Sequence, residues 1–203
     1  SVRSSAYVTG AAWPTVTPVG RTLARMGNPT TRTINGQQWV NNHANGDGFN
    51  FMNVGWNPAG SLSFNGGSIV AACRPIYVGT ANNYQPLVSI LLNRFLIDVR
   101  GADGRLRVRR GGVTSATACF IPNGQITTIS AVVQPTGEYA IYTNGVMALT
   151  NTTLFDFTIL TPADWYMTDV NVGKGWNGDG WSSFNGDIGD VYVYTVAIDN
   201  AKR

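Results

Sequence analysis

Apolar and polar residues alternate along most of this chain in short runs, each broken by turn-forming residues. Strict alternation is the signature of strands with one buried face, because successive side chains leave a strand on opposite sides. It predicts strands at Ile34–Val40, Phe49–Val54, Ser61–Phe64, Ser68–Ile76, Leu87–Leu92 and Arg94–Val99. Further strands are predicted at Leu106–Arg109, Ala116–Ile121, Ile126–Val133, Tyr139–Tyr142, Val146–Leu149, Asp169–Val172 and Gly189–Val196. Between them lie Asn65-Gly66-Gly67, Asp103-Gly104, Asn123-Gly124, Asn144-Gly145 and Asn185-Gly186. Asn-Gly and Asp-Gly supply the positive φ that two-residue hairpin turns need. Many short strands at this spacing predict an all-β sandwich or barrel, with no helix.

The first 32 residues break the pattern. They hold Pro14, Pro18 and Pro29, several Ser and Thr, and no sustained period. They read as an extended arm, which divides the chain into an arm at 1–32 and one β domain at 33–203. The arm is basic: Arg3, Arg21, Arg25 and Arg32 precede the first acidic residue, Asp47. It is either a solvated extension or an assembly arm that lies on a neighbouring subunit.

Composition narrows the class. Of 203 residues, 43% are hydrophobic, enough for a core, and only 12% are charged, about half the usual share. Glu occurs once (Glu138) and Lys twice (Lys174, Lys202), against 24 Gly. Few helix formers and many turn formers favour strands. The balance suits an extracellular or particle-surface protein. No apolar run approaches the ~20 residues that span a bilayer. The chain opens on Ser1 without methionine, leaving a processed start or a cut boundary open. Cys73 and Cys119 have no spacing motif, so two free thiols and one disulfide both stand. The net charge of +3 is sparse and carries no recognition motif, which argues against nucleic acid.

Several segments resemble the concanavalin A-like superfamily, in particular its laminin-G-like and pentraxin-like branch. Ser61-Leu62-Ser63-Phe64-Asn65-Gly66 followed by Ser68–Pro75 is similar to that family's opening strand pair, with Ala72 where many relatives carry Trp. Tyr139–Val146 resembles its Tyr-x-Asn-Gly hairpin. Ile126–Val133 resembles the strand before it, without the usual tryptophan. Gly186–Tyr194 resembles the closing strand, and Phe-Asn-Gly recurs at Phe64 and Phe184. The likeness covers roughly Asn53 to Arg203. It implies a two-sheet antiparallel jelly-roll sandwich, and a family that mostly binds ligands while some branches catalyse.

Catalytic chemistry has little to stand on. The glucanase branch uses paired carboxylates on one strand, but Glu138 is the single Glu. Asp187 and Asp190 are three apart, so on a regular strand they face opposite sides. His43, the one histidine, sits in a polar Asn-rich stretch that reads as surface.

Binding has more. Gly173 to Trp181 reads as a loop that sets Trp176 and Trp181 around Asn177, Gly178 and Asp179. Indole faces stack on the apolar faces of sugars while Asn and Asp bond hydroxyl groups. Packing of both tryptophans over the sheet edge is an equally open reading. Tyr84 and Trp165 are further candidates for the same rim. No cofactor is expected. Asp179, Asn177 and Asp187 offer oxygen ligands for calcium, but without a D-x-D-x-D-G spacing. Arg105-Leu106-Arg107-Val108-Arg109-Arg110 reads as a charged edge strand that deters pairing, or as a basic stripe for an acidic glycan or subunit. The sequence thus points to a non-catalytic lectin-like module, or alternatively to a structural subunit of a virion, phage or cell-surface assembly.

Overall fold

The computed structural model describes residues 1–14, 22–42, 48–51, 67–77, 84–90, 95–110, 113–136, 138–151, 170–176, 181–194 and 196–198. Strands are numbered along the chain. An eight-stranded antiparallel sheet runs in the order β1 (Trp13–Pro14), β2 (Thr22–Met26), β5 (Gly48–Phe51), β14 (Val170–Val172), β7 (Tyr84–Ile90), β8 (Phe95–Arg100), β9 (Arg105–Arg110) and β10 (Val113–Phe120). A seven-stranded sheet runs in the order β13 (Val146–Asn151), β12 (Tyr139–Thr143), β11 (Thr127–Val133), β6 (Gly67–Pro75), β17 (Gly186–Tyr194), β4 (Gln37–Asn42) and β3 (Thr30–Ile34). A two-stranded ribbon, β15 (Lys174–Trp176) and β16 (Trp181–Ser183), completes the set. Consecutive sheet neighbours are often far apart in sequence, which is the jelly-roll signature of crossing connections.

The two sheets enclose one core. Ile69, Ala71 and Cys73 on β6, Ile129 and Ala131 on β11, and Ile141 on β12 meet Val88, Ile97, Val99, Leu106 and Val108 from the other sheet. Each is separated from the next by a residue on the far face, as the alternation requires. Ala72 lies on that far face. A Cβ added at Gly189 would lie 2.9 Å from both Ala72 Cβ and the Trp39 ring of β4, so the three meet there.

A bulge in β17 overturns the parity expected of its two aspartates. Ile188 pairs with Cys73 and Val191 with Ala71, so three steps on β17 match two on β6. Both apolar residues stay in the core, and Asp187 and Asp190, one step before each, share the opposite face. Neither is available as a catalytic pair. Asp187 is fully buried and bonded by Arg74 Nε at 2.8 Å and Asn41 Nδ2 at 2.7 Å, with Arg32 Nη1 3.6 Å away. Asp190 accepts from the Ser4 amide at 2.8 Å and from Tyr192 OH at 3.1 Å.

The segment expected to be a free arm is folded into the sandwich in its described parts. Val2 bridges Val191, a 3₁₀ turn follows at Ser4–Ala6, and Tyr7, Trp13 and Leu23 enter the core. Gln38 Nε2 donates to the Ser4 and Tyr7 carbonyls at 2.8 and 2.7 Å, and Trp13 Nε1 to Arg3 O at 2.8 Å. This segment pairs with β17 just beyond the last β4–β17 pair. Its apolar residues are irregularly spaced because most of it follows no regular strand, so periodicity cannot reveal its burial. Of the arm arginines, Arg3 and Arg25 are exposed, Arg32 reaches Asp187, and Arg21 lies outside the described residues.

Other expectations shift locally. Ile34–Val40 is not one strand: Asn35 and Gly36, at φ 51° and 76°, turn β3 into β4. Asn144-Gly145 makes the expected hairpin, at φ 50° and 78°. Asn185-Gly186 joins the ribbon to β17 instead of closing a hairpin. The arginine-rich β9 is not an edge, since β8 and β10 flank it. The alternation that suggested an edge belongs to any strand with one polar face. Ser61–Phe64 and His43 lie outside the described residues. Cys73 and Cys119 are free thiols; Cys73 is buried, and burial pushes it up to about 12.

Trp13→Ala should lower unfolding stability by about 3–5 kcal/mol in a denaturant titration, the usual cost of emptying a buried tryptophan site. Unchanged stability would mean that the N-terminal segment is not part of the core.

Candidate functional site

Gly173 to Trp181, expected as a loop, has its described ends in β15 and β16, which pair as a ribbon at the junction of the two sheets. Its stem is held by hydrogen bonds from both. Gly173 N donates to Leu87 O, and Phe184 N donates to Gly173 O, each at 2.8 Å. Asn42, at the end of β4, sends its Nδ2 to Gly173 O at 2.9 Å and Phe184 O at 2.7 Å. Asn185 N reaches Gln85 Oε1 at 3.0 Å, and Asn185 Nδ2 reaches Ile76 O at 2.9 Å.

The ribbon lies on the outer face of β7. A Cβ at Gly175 would stand 3.1 Å from Pro86 Cβ and 3.2 Å from Ser89 Cβ, so only glycine permits that approach without displacement. Ser182 Oγ donates to Tyr84 O at 3.0 Å. Gly175 pairs with Ser182, and the next pair along is Trp176 with Trp181. The structure therefore makes the two tryptophan positions cross-strand partners and sets their ribbon beside Tyr84. Asn177, Asp179 and Trp165 lie outside the described residues.

Tyr84 opens a row that crosses four strands on this face. It pairs with Arg100 of β8. Val99 pairs with Leu106, and continuing that register by one residue sets Arg100 opposite Arg105. Arg105 pairs with Phe120 of β10. At ~4.8 Å per strand the row spans about 14 Å. Tyr84 is half-buried, and the Arg107 guanidinium stacks 3.5 Å from its ring centroid, a cation–π distance. One ring face is thus occupied by the protein itself.

The charges on the row are arranged unequally. Asp98 is fully buried beneath Arg107, with Arg107 Nε donating to Oδ1 at 2.8 Å and Nη2 to Oδ2. Arg100 clasps Asp103 with two donors, Nε at 2.7 Å and Nη2. Asp103 Oδ1 also accepts from the Arg105 amide at 3.1 Å. The Arg100 hydrogen bond pulls the Asp103 carboxyl down to about 2, and the same bond raises the guanidinium. Arg105 sits 5.2 Å from the Phe120 centroid, and its Nε is buried without a hydrogen-bond partner. Alternation marks Arg105 to Arg110 as an edge strand or a basic stripe, but it does not say which partner each arginine meets.

No family model and no curated protein sequence matches the chain. Solved structures do match. Domain 4 of AbnA, a GH43 extracellular arabinanase from Geobacillus stearothermophilus solved with arabinotriose, has a TM-score of 0.60 at 17% identity, covering 87% of this chain and 79% of that one. A heptameric SAP-like pentraxin from Limulus polyphemus gives 0.51 at 17% identity, covering 68% of each. The Ruminococcus gnavus IT-sialidase CBM40, bound to α2,3 sialyllactose, gives 0.58 at 16% identity, covering 81% and 93%. At such identity the likeness is one of fold: this chain is a two-sheet antiparallel jelly-roll sandwich.

The clasp at Asp103 has an acid limit. Its folded pKa lies below the ordinary 3.8, so its contribution is complete above that value and is lost as pH falls through about 2. A carboxyl-carbon NMR titration of Asp103 should have its midpoint near 2; a midpoint at the ordinary value would mean that the clasp does not form in solution.

Proposed function

We propose that this chain is a non-catalytic, lectin-like module that binds carbohydrate on the ribbon over β7. The observation that carries the reading is the pairing of Trp176 with Trp181 on a ribbon held against β7 beside Tyr84. Successive pairs of a ribbon face opposite ways. Gly175 and Ser182 meet the sheet. In this reading the paired tryptophans offer indole faces to the apolar face of a sugar, and Asn177, Asp179 and Trp165 supply the polar and aromatic contacts that fix orientation. Tyr84 buttresses the ribbon's foot.

The arabinotriose and sialyllactose complexes of the similar domains support a glycan as the ligand class. They also favour a site of action outside the cell or on a particle surface. The engagement of Asp187 and Asp190 by protein partners supports a binding role over hydrolysis. A structural subunit joined to neighbours through residues 1–32 would need that segment free. The core positions of Val2, Tyr7 and Trp13 give that reading no support.

Trp176→Ala combined with Trp181→Ala should leave a folded protein, by circular dichroism and thermal melt, that has lost binding on a glycan array. A double variant that unfolds would show the pair to be structural and remove the site. Full retention of glycan binding would do the same.

A further inference from the structure

We propose that the ligand is an anionic glycan, and that Arg105 is the residue that reads its negative group. This rests on the glycan-binding reading and adds the ligand's charge to it. The starting point is the unequal pairing of three arginines on one sheet face. Arg107 is neutralised by a carboxylate buried beneath it, and Arg100 by Asp103. Among the described residues Arg105 has no carboxylate in ion-pair contact, although its amide bonds Asp103.

Arg105 is also set as a receptor and not as a solvated side chain. Its stem crosses the sheet toward Phe120, which is 49% exposed, and its guanidinium lies over that ring. Its Nε is shut off from solvent with no acceptor. A planar guanidinium held by an aromatic ring presents its remaining N–H groups in a fixed fork, which suits a carboxylate or a sulfate.

Position adds the rest. The row Tyr84, Arg100, Arg105, Phe120 begins at the foot of the tryptophan ribbon. Its length of about 14 Å at the usual strand spacing is on the scale of a short oligosaccharide. A sugar stacked at the ribbon then has its anionic neighbour over Arg105, with Phe120 exposed beyond. Arg100 and Arg107 keep their own carboxylates and hold the frame. Carboxylated and sulfated sugars share the chemistry that Arg105 selects, and the experiment separates them.

The test uses calorimetry on the whole chain with three probes: an oligogalacturonate, its carboxyl-reduced neutral counterpart, and a heparin oligosaccharide. Wild type should bind at least one anionic probe roughly tenfold or more tighter than the neutral one, the scale of one charge-assisted hydrogen bond. The preference should shrink as salt rises. Arg105→Gln should erase it and leave neutral binding unchanged, and Arg105→Lys should restore part of it. Preference for oligogalacturonate over heparin assigns a carboxylate, and a preference for heparin that its carboxyl-reduced form keeps assigns a sulfate. Neutral binding equal to anionic binding would overturn the charge inference while leaving the glycan reading intact. An anionic preference that survives Arg105→Gln in a folded variant would overturn the assignment to Arg105. Binding of none of the three, together with a blank glycan array, would remove the glycan reading and this inference with it.

Discussion

The side-chain amide of Asn42 ties the proposed binding surface to the fold. It ends β4 in the seven-stranded sheet, yet its Nδ2 reaches carbonyls on both sides of the ribbon, at Gly173 and Phe184. Gly173 in turn donates to Leu87 of the eight-stranded sheet. One fully buried amide therefore fixes where the two sheets meet and where the ribbon leaves them. In a low-dielectric interior such bonds are stronger than in water, and the cost of breaking them is correspondingly high. The ribbon's placement over β7 follows from this stem more than from its own two short strands, which would be marginal alone.

The same junction shows how a β-sandwich accommodates irregularity. β17 bulges between Ile188 and Val191, and its pairing with β4 stops at Ile188. The N-terminal segment takes up the vacated edge through Val2, and Asp190 secures it at Ser4. A sheet that lost a partner there would expose unpaired backbone; recruiting the chain's own start removes that liability. The bulge also gathers Asp187, Asp190, Tyr192 and Tyr194 onto one side, with the two tyrosine rings stacked 6.5 Å apart.

Much of the sandwich was legible because alternation and Asn-Gly turns are local signals. Residues 68–75, 127–133, 139–142 and 146–149 fall in strands where the pattern puts them, since their turns and periods act within one hairpin. What sequence could not show depends on distant partners. The burial of Tyr7 and Trp13 relies on two of these, Pro29 for the tyrosine hydroxyl and β2 for the tryptophan strand, that no adjacent residue encodes. The flanking of β9 on both sides is a fact of sheet order, not of its own residues. Asn35-Gly36 is different: it carries the same turn signal as Asn144-Gly145, and reading Ile34–Val40 as continuous passed over it. For the candidate site, the tryptophans were legible as residue types, but their pairing across a ribbon was not, because glycine-rich stretches read equally well as loops.

The arginine row makes the point sharper, since one residue type has three fates within a few ångströms. Arg107 has an aspartate on the neighbouring strand, buried where an unpaired carboxylate would be costly, and becomes part of the framework that stacks on Tyr84. Arg100 is matched three residues later by Asp103 in the same turn, a pairing set by local chain geometry. Arg105 is left with an aromatic ring beneath it and an unsatisfied donor. Sequence gives all three the same letter and the same face. For the two on β9, register distinguishes them, because it sets Arg107 opposite Asp98 and Arg105 opposite Phe120. A one-residue slip of β9 against both its neighbours would turn Arg105 and Arg107 toward the core and abolish the row. The charge that this face offers a ligand is therefore a property of strand pairing, and it exists only as long as the fold holds that register.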